Sequence, residues 1–269
     1  MTSIDRARAR RGEATLRLAI LFSVLGYLLL PMLAMFEFST RGPGGQRTLA
    51  AWAEIGTNPD LLGAIILQLE LAALTVLLAL ALLVPTMILV RLKRPGLNRV
   101  LEFICLLPLT VPAIVLVVGL GPVYGLVGRF VSESPLTLTF IYVILVLPYN
   151  YRAIASGLDT LDLVTLSEAA RVFGSSWNGV IWRIVVPNIR GALLAAALIS
   201  VALVLGEFTI SSLLSFETLQ VIINEIGKRN ASVAVAVSLA ALCFAFMLLF
   251  ILSFAGQRPE AREIPEKEE

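Results

Sequence analysis

Histidine is absent from this chain of 269 residues, cysteine occurs only twice, and 15% of the side chains carry charge. Without imidazole the commonest general base is missing, and so are the usual His/Cys metal clusters, so neither catalysis nor a zinc site is expected of this chain. Cys105 and Cys243 both lie within apolar runs; two such thiols make no disulfide framework and read as packing residues. No Gly-x-x-x-x-Gly-Lys-Ser/Thr phosphate loop is present, since Gly227-Lys228 lacks the upstream glycine, and ATP binding by this chain is not expected. What fills the space left by charge is apolar: 58% of residues are hydrophobic and the mean hydropathy is +0.90. That is more than one soluble core of this length can hide. Lipid is the solvent that suits it.

Long uncharged runs occur at Leu18 to Phe36, Leu71 to Val90, Phe103 to Gly128, Pro135 to Tyr151, Gly191 to Gly206 and Ala231 to Gln257. About twenty apolar residues suffice to cross a bilayer as a helix, so the expected fold is all-α and polytopic, with six transmembrane helices. The fourth and fifth runs are the shortest; the fourth is expected to continue past Arg152 and the fifth past Glu207. A basic arm precedes the first run, but that run is long and lacks a small-x-small cleavage site, so it reads as a retained span. Pro108 and Pro112 in the third run and Pro148 in the fourth remove backbone donors and predict kinks. Residues 1–17 are an amino-terminal arm, 18–256 the six-helix domain and 257–269 an acidic, solvated tail.

Orientation follows from lysine and arginine, which are retained in cytoplasmic loops. Arg6, Arg8, Arg10, Arg11 and Arg17 lie in the arm, Arg91, Lys93, Arg94 and Arg99 between runs two and three, Arg152, Arg171, Arg183 and Arg190 between runs four and five, and Arg258, Arg262 and Lys267 in the tail. The opposite side holds Arg41, Arg47, Arg129, Lys228 and Arg229. Both termini and the loop at about 152–190 are therefore expected in the cytoplasm.

Acidic residues inside apolar runs are costly and face protein or water. Glu207 follows Gly206 deep in the fifth span and is a candidate pathway residue; the alternatives are a carboxylate hydrogen-bonded between helices or paired with a cation of a partner chain. Glu70 is a second pathway candidate, because Gln68 beside it would make a partly wet face. Glu102 reads as interfacial.

The loop between runs four and five holds a polar, helical punctuation, Glu168-Ala-Ala-Arg-Val-Phe-Gly174, followed by Ile184-Val-Val-Pro187. Leu163, Leu166, Ala169, Ala170 and Phe173 share a three-and-four spacing, which predicts one sticky face on a short helix. Asp162 can cap it, Gly174 suits the left-handed residue that would end it, and a second short helix from Ser175 to Val186 would be stopped by Pro187. A bare Glu-Ala-Ala fits any interfacial loop. With Gly174 and Pro187 in step, the loop resembles the EAA motif of the membrane-spanning subunits of bacterial ABC importers, with Val186 in place of the motif's leucine. Six spans, inside termini and this loop together resemble the type I importer permease fold over essentially the whole chain. Leu147-Pro-Tyr-Asn-Tyr-Arg152, Gly206-Glu-Phe-Thr-Ile-Ser-Ser212 and Leu219-Gln-Val-Ile-Ile223 are most similar to spermidine/putrescine permeases and their relatives for thiamine, ferric iron and aminophosphonates.

The resemblance implies a permease subunit in a bacterial inner membrane, forming half of a translocation pathway. Its partners would be a second permease, usually an unlike chain, two cytoplasmic ATPases that bind ATP and magnesium, and an extracytoplasmic substrate-binding protein. Glu168, Ala169, Ala170, Gly174, Ile184 and Pro187 would carry the ATPase coupling. The cargo would be a small polar or cationic solute such as a polyamine, with thiamine, ferric iron or aminophosphonate as alternatives. The alternatives from other classes are a non-conducting membrane assembly subunit and an intramembrane enzyme.

Overall fold

The computed structural model describes residues 3–130 and 132–255. The expected tail at 257–269 lies outside the described residues. In chain order the helices are α1 (Ser3–Ser39), α2 (Ala50–Thr57), α3 (Pro59–Lys93), α4 (Asn98–Leu106), α5 (Ala113–Phe130), α6 (Leu138–Asp159), α7 (Leu163–Val172), α8 (Trp177–Asn188), α9 (Arg190–Leu205), α10 (Thr209–Leu213), α11 (Leu219–Arg229) and α12 (Ala231–Ala255). Helices dominate because lipid offers no partner for a free amide or carbonyl.

Among the described residues five stretches are long and apolar enough to cross a membrane: Leu16–Ser39, Pro59–Lys93, Ala113–Phe130, Pro135–Asp159 and Ala231–Leu248. A sixth is reached only if α8 and α9, which meet at a bend of 80°, are taken together as one broken span. The fold is thus an all-α polytopic membrane protein. From Ser3 the amino-terminal arm is part of α1. As expected, α6 runs past Arg152, to Asp159. The fifth span differs from expectation. Its helix ends at Leu205 and does not continue through Glu207; the chain restarts as α10.

The chain divides into two compact units. The smaller combines Met1–Leu62 with Ile223–Leu242. At the end of α1, Glu37 accepts from Arg41 (2.8 Å) and from Arg47, while Trp52 donates its indole N–H to Ser39 at 3.0 Å. Ser232 at the start of α12 donates to the Arg41 carbonyl at 3.3 Å.

The larger unit, built on Gly63–Ile222, holds the site. Its centre is α6 against α9. Gly157 permits this approach, because a Cβ there would overlap the Cβ of Ala192. Further along, Ser200 donates to Asn150 Oδ1 at 2.9 Å, both fully buried. One apolar cluster joins Met87 and Ile88 of α3, Cys105 of α4, Ile154 and Leu158 of α6, Ala170 of α7 and Val185 of α8. A second joins Leu71 of α3, Ile141 and Tyr142 of α6, Val204 of α9 and Ile210 of α10. The third apolar run is broken: α4 passes into a 3-10 turn at Leu107–Thr110, and Val111 is extended at φ −104°, ψ 118°. Pro112 forbids helix to the residue before it, and Pro108 brings no amide. Cys243, unlike buried Cys105, is exposed on the chain, which corrects its reading as a packing residue.

Candidate functional site

The loop between α6 and α9 folds as a helical hairpin. Asp162 opens α7 by accepting from the Thr165 amide at 3.1 Å and its hydroxyl at 2.7 Å. These two donors hold the exposed Asp162 carboxyl below its usual range, the hydroxyl contributing most. At the other end Gly174 has φ 82°. Its amide donates to the Arg171 carbonyl at 2.9 Å, and the Ser175 amide reaches back to Ala170 at 3.0 Å. That pair of reversed bonds is a Schellman closure, which requires the left-handed residue that glycine adopts without penalty. Ser176 then caps α8 by accepting from the Gly179 amide at 3.2 Å.

The faces of the hairpin depart from the spacing. Leu163, Ser167 and Ala170 are buried, whereas Ala169 is exposed and Phe173, assigned to the sticky face, is 87% exposed beside Val172 at 84%. Phe173 lies past the last turn of α7, so the helical period no longer sets its direction. Glu168 is also exposed. Within α8 the segment Val180–Val185 is a π-helix, and the helix does not stop at Pro187 but runs through it to Asn188. Widening the turn shifts the hydrogen-bond register just before a residue that has no amide to give, and kinks of this kind gather at functional positions. The Asn188 side chain takes the Ile184 carbonyl at 2.7 Å. Ile184 is half-buried and Pro187 exposed. Ile189, at φ −103° and ψ 16°, makes the 80° turn into α9.

The second constellation is the break after α9. At the last turn of α9 the carbonyls run out of regular helical partners, and that of Val204 accepts from the Glu207 amide at 3.2 Å. Gln68 Nε2 donates to Val204, and Gln220 Nε2 donates to Leu205 at 2.8 Å. Gln68 also accepts from the Leu219 amide at 3.3 Å. Glu207, 8% exposed, serves the opposite end. Its oxygens accept from the amides of Ile210 (2.6 Å) and Ser211 (3.2 Å), which begin α10. Ser211 Oγ and Tyr142 Oη lie 3.0 and 3.1 Å from the same carboxylate and 2.6 Å from each other. Two hydroxyl protons serve three contacts, so either both point at Glu207 or one hydroxyl donates to the other, which donates to Glu207.

The wet face expected of Gln68 and Glu70 is not there. Gln68 is fully buried, whereas Glu70 is exposed on α3; two residues along a helix turn side chains to nearly opposite sides. Gln68, and not Glu70, reaches the break. The reading of residues also missed the basic end of α3. Lys93 Nζ lies 4.4 Å and Arg171 Cζ 4.5 Å from the centre of the Trp177 ring. Arg91 pairs with Asp159 at the end of α6 and donates to the Ala155 carbonyl at 3.4 Å. Lysine, arginine and tryptophan scattered over some eighty positions give no local signal of meeting.

Five apolar spans, a sixth broken one at α8 and α9, a capped helical hairpin before α9 and a polar break after it define a polytopic helical membrane protein. No curated protein matches the chain. Residues 88–258 match the family of binding-protein-dependent transport system inner membrane components, and the chain belongs to that family: it is a permease subunit of an ABC importer. Members of the family work with ATPase and substrate-binding partners.

Proposed function

We propose that this chain forms half of the translocation pathway and receives the ATPase stroke through the α7–α8 hairpin, with both termini and the hairpin in the cytoplasm. Glu168, Ala169, Ala170, Gly174, Ile184 and Pro187 are the coupling residues. The observation that carries this reading is Val172–Phe173, two large apolar side chains held almost fully exposed by the Gly174 closure. An apolar pair presented on a capped turn suits a groove in a partner. The hairpin runs into α6 at one end and α9 at the other, so its displacement has a path into the spans. ATP and magnesium reside in the partner ATPase, and the second permease is an unlike chain.

The cargo is a small polar or cationic solute, with a polyamine as the leading class and thiamine, ferric iron or aminophosphonate as alternatives. Support for a polyamine comes from the likeness of Leu147–Arg152 and Gly206–Ser212 to polyamine permeases. Glu207 acts at the edge of the pathway by holding the broken fifth span in shape.

Gly174→Leu and Glu168→Lys test the coupling role in complexes reconstituted with their partners. A leucine at φ 82° costs about 1–2 kcal/mol and opens the turn that presents Phe173. ATP hydrolysis should persist while putrescine uptake falls, with membrane insertion unchanged. Parent-level uptake and parent-level stimulation of hydrolysis in both variants would remove coupling from this loop.

A further inference from the structure

The backbone of the hairpin enters α9 at Ile189, where it leaves helical geometry and turns by 80°. A joint of that kind passes an axial pull poorly. Trp177 stands at the far end of α8, twelve residues from Ile189 and on the order of 18 Å away along a helix. That end needs its own anchorage if α8 is to behave as a lever and not swing about the bend.

The structure supplies one. Lys93, the last residue of α3, and Arg171 of α7 both approach the half-buried Trp177 ring, at 4.4 and 4.5 Å. Two cations would otherwise keep apart, and the negative π face of an indole is a group that both can approach. The end of α3 is fastened a second time, by Arg91 to Asp159 on α6. We propose that Trp177 is a positioning residue, and that Lys93, Trp177 and Arg171 form a latch tying the start of α8 to the end of the second span. Displacement of the hairpin then reaches α3 directly, bypassing the bend at Ile189. The latch rests on the coupling role of the hairpin proposed above, but its geometry can be tested separately.

The test places nitroxides on Arg94→Cys and Asn178→Cys, both exposed positions, in a cysteine-free chain assembled with its partner subunits in liposomes. Spin-spin distances are read without nucleotide and with magnesium and a non-hydrolysable ATP analogue. The parent should give one narrow distance that nucleotide leaves unchanged. Lys93→Arg and Trp177→Phe, which keep a cation and a ring, should match it. Lys93→Met, which keeps the aliphatic stem at an exposed position, and Trp177→Leu should give a broadened distance that shifts with nucleotide. A narrow, unshifted distance in Lys93→Met overturns the latch, as does a parent distance that itself moves with nucleotide. Failure of the parent to retain the ATPase on purification would sink the coupling reading; the nucleotide-free comparison of the parent with Lys93→Met would still decide the latch.

Discussion

Replacing Glu207 by glutamine keeps the side-chain shape and removes one acceptor. If the remaining oxygen stays on the Ile210 amide, the new NH2 group faces the Ser211 amide, the Ser211 hydroxyl and Tyr142. The hydroxyls can turn and accept from it. The Ser211 amide cannot, and a buried amide left without a partner costs about 1–3 kcal/mol. The bond from Ile210 also loses its charge assistance, worth about 1 kcal/mol. The sum, about 2–4 kcal/mol, is a large part of the roughly 5–15 kcal/mol that separates a folded domain from its unfolded chain. Glu207→Gln should therefore melt well below the parent when purified in detergent, and Glu207→Ala, which leaves both amides free, lower still. Unchanged melting of Glu207→Gln, with reduced putrescine uptake in reconstituted complexes, would refute this accounting and make the carboxylate a cargo contact.

Gly157→Ala should destabilise the bundle by about 1–3 kcal/mol through overpacking, because the added methyl meets Ala192; Ala192→Gly in the same chain should restore the melting temperature, and a neutral single variant would show that α6 and α9 are not in register there. A cysteine at Ser175 in a cysteine-free chain should resist an impermeant thiol reagent applied to intact cells and react once the membrane is opened, as labelling gels would show; reaction from outside would invert the orientation inferred from arginine.

What could be read from residues alone was local or additive. Six apolar runs emerge from composition, and Asp162, Gly174 and the prolines at 108 and 112 act within a turn of their own position, where capping and steric rules hold regardless of the rest of the fold. Phe173 escaped because the helical period ends at the cap just before Gly174. The end of α9 at Leu205 escaped for a different reason. Nothing in Val-Leu-Gly-Glu-Phe forbids a helix from continuing; the break exists because Gln68, Gln220 and Tyr142, remote in sequence, supply partners to the ends it creates. Only the acidic residue two places ahead of Thr209 hinted that a helix could begin there. Gln68 itself was unreadable as a core residue, since α3 is apolar on every side and its period singles out no face.

The stitching of that break also constrains how the chain is made. Gln68 leaves the ribosome long before Val204 and Leu219, the residues that will occupy its amide, 136 and 151 positions downstream. Until they arrive, a polar side chain sits within an apolar helix with nothing to bond, at an energetic disadvantage in lipid. The second span thus has a reason to linger against the insertion machinery or its lipid headgroup border, and to settle only when the fifth has threaded. Assembly of this bundle would be a late, concerted closing and not a succession of independently finished helices.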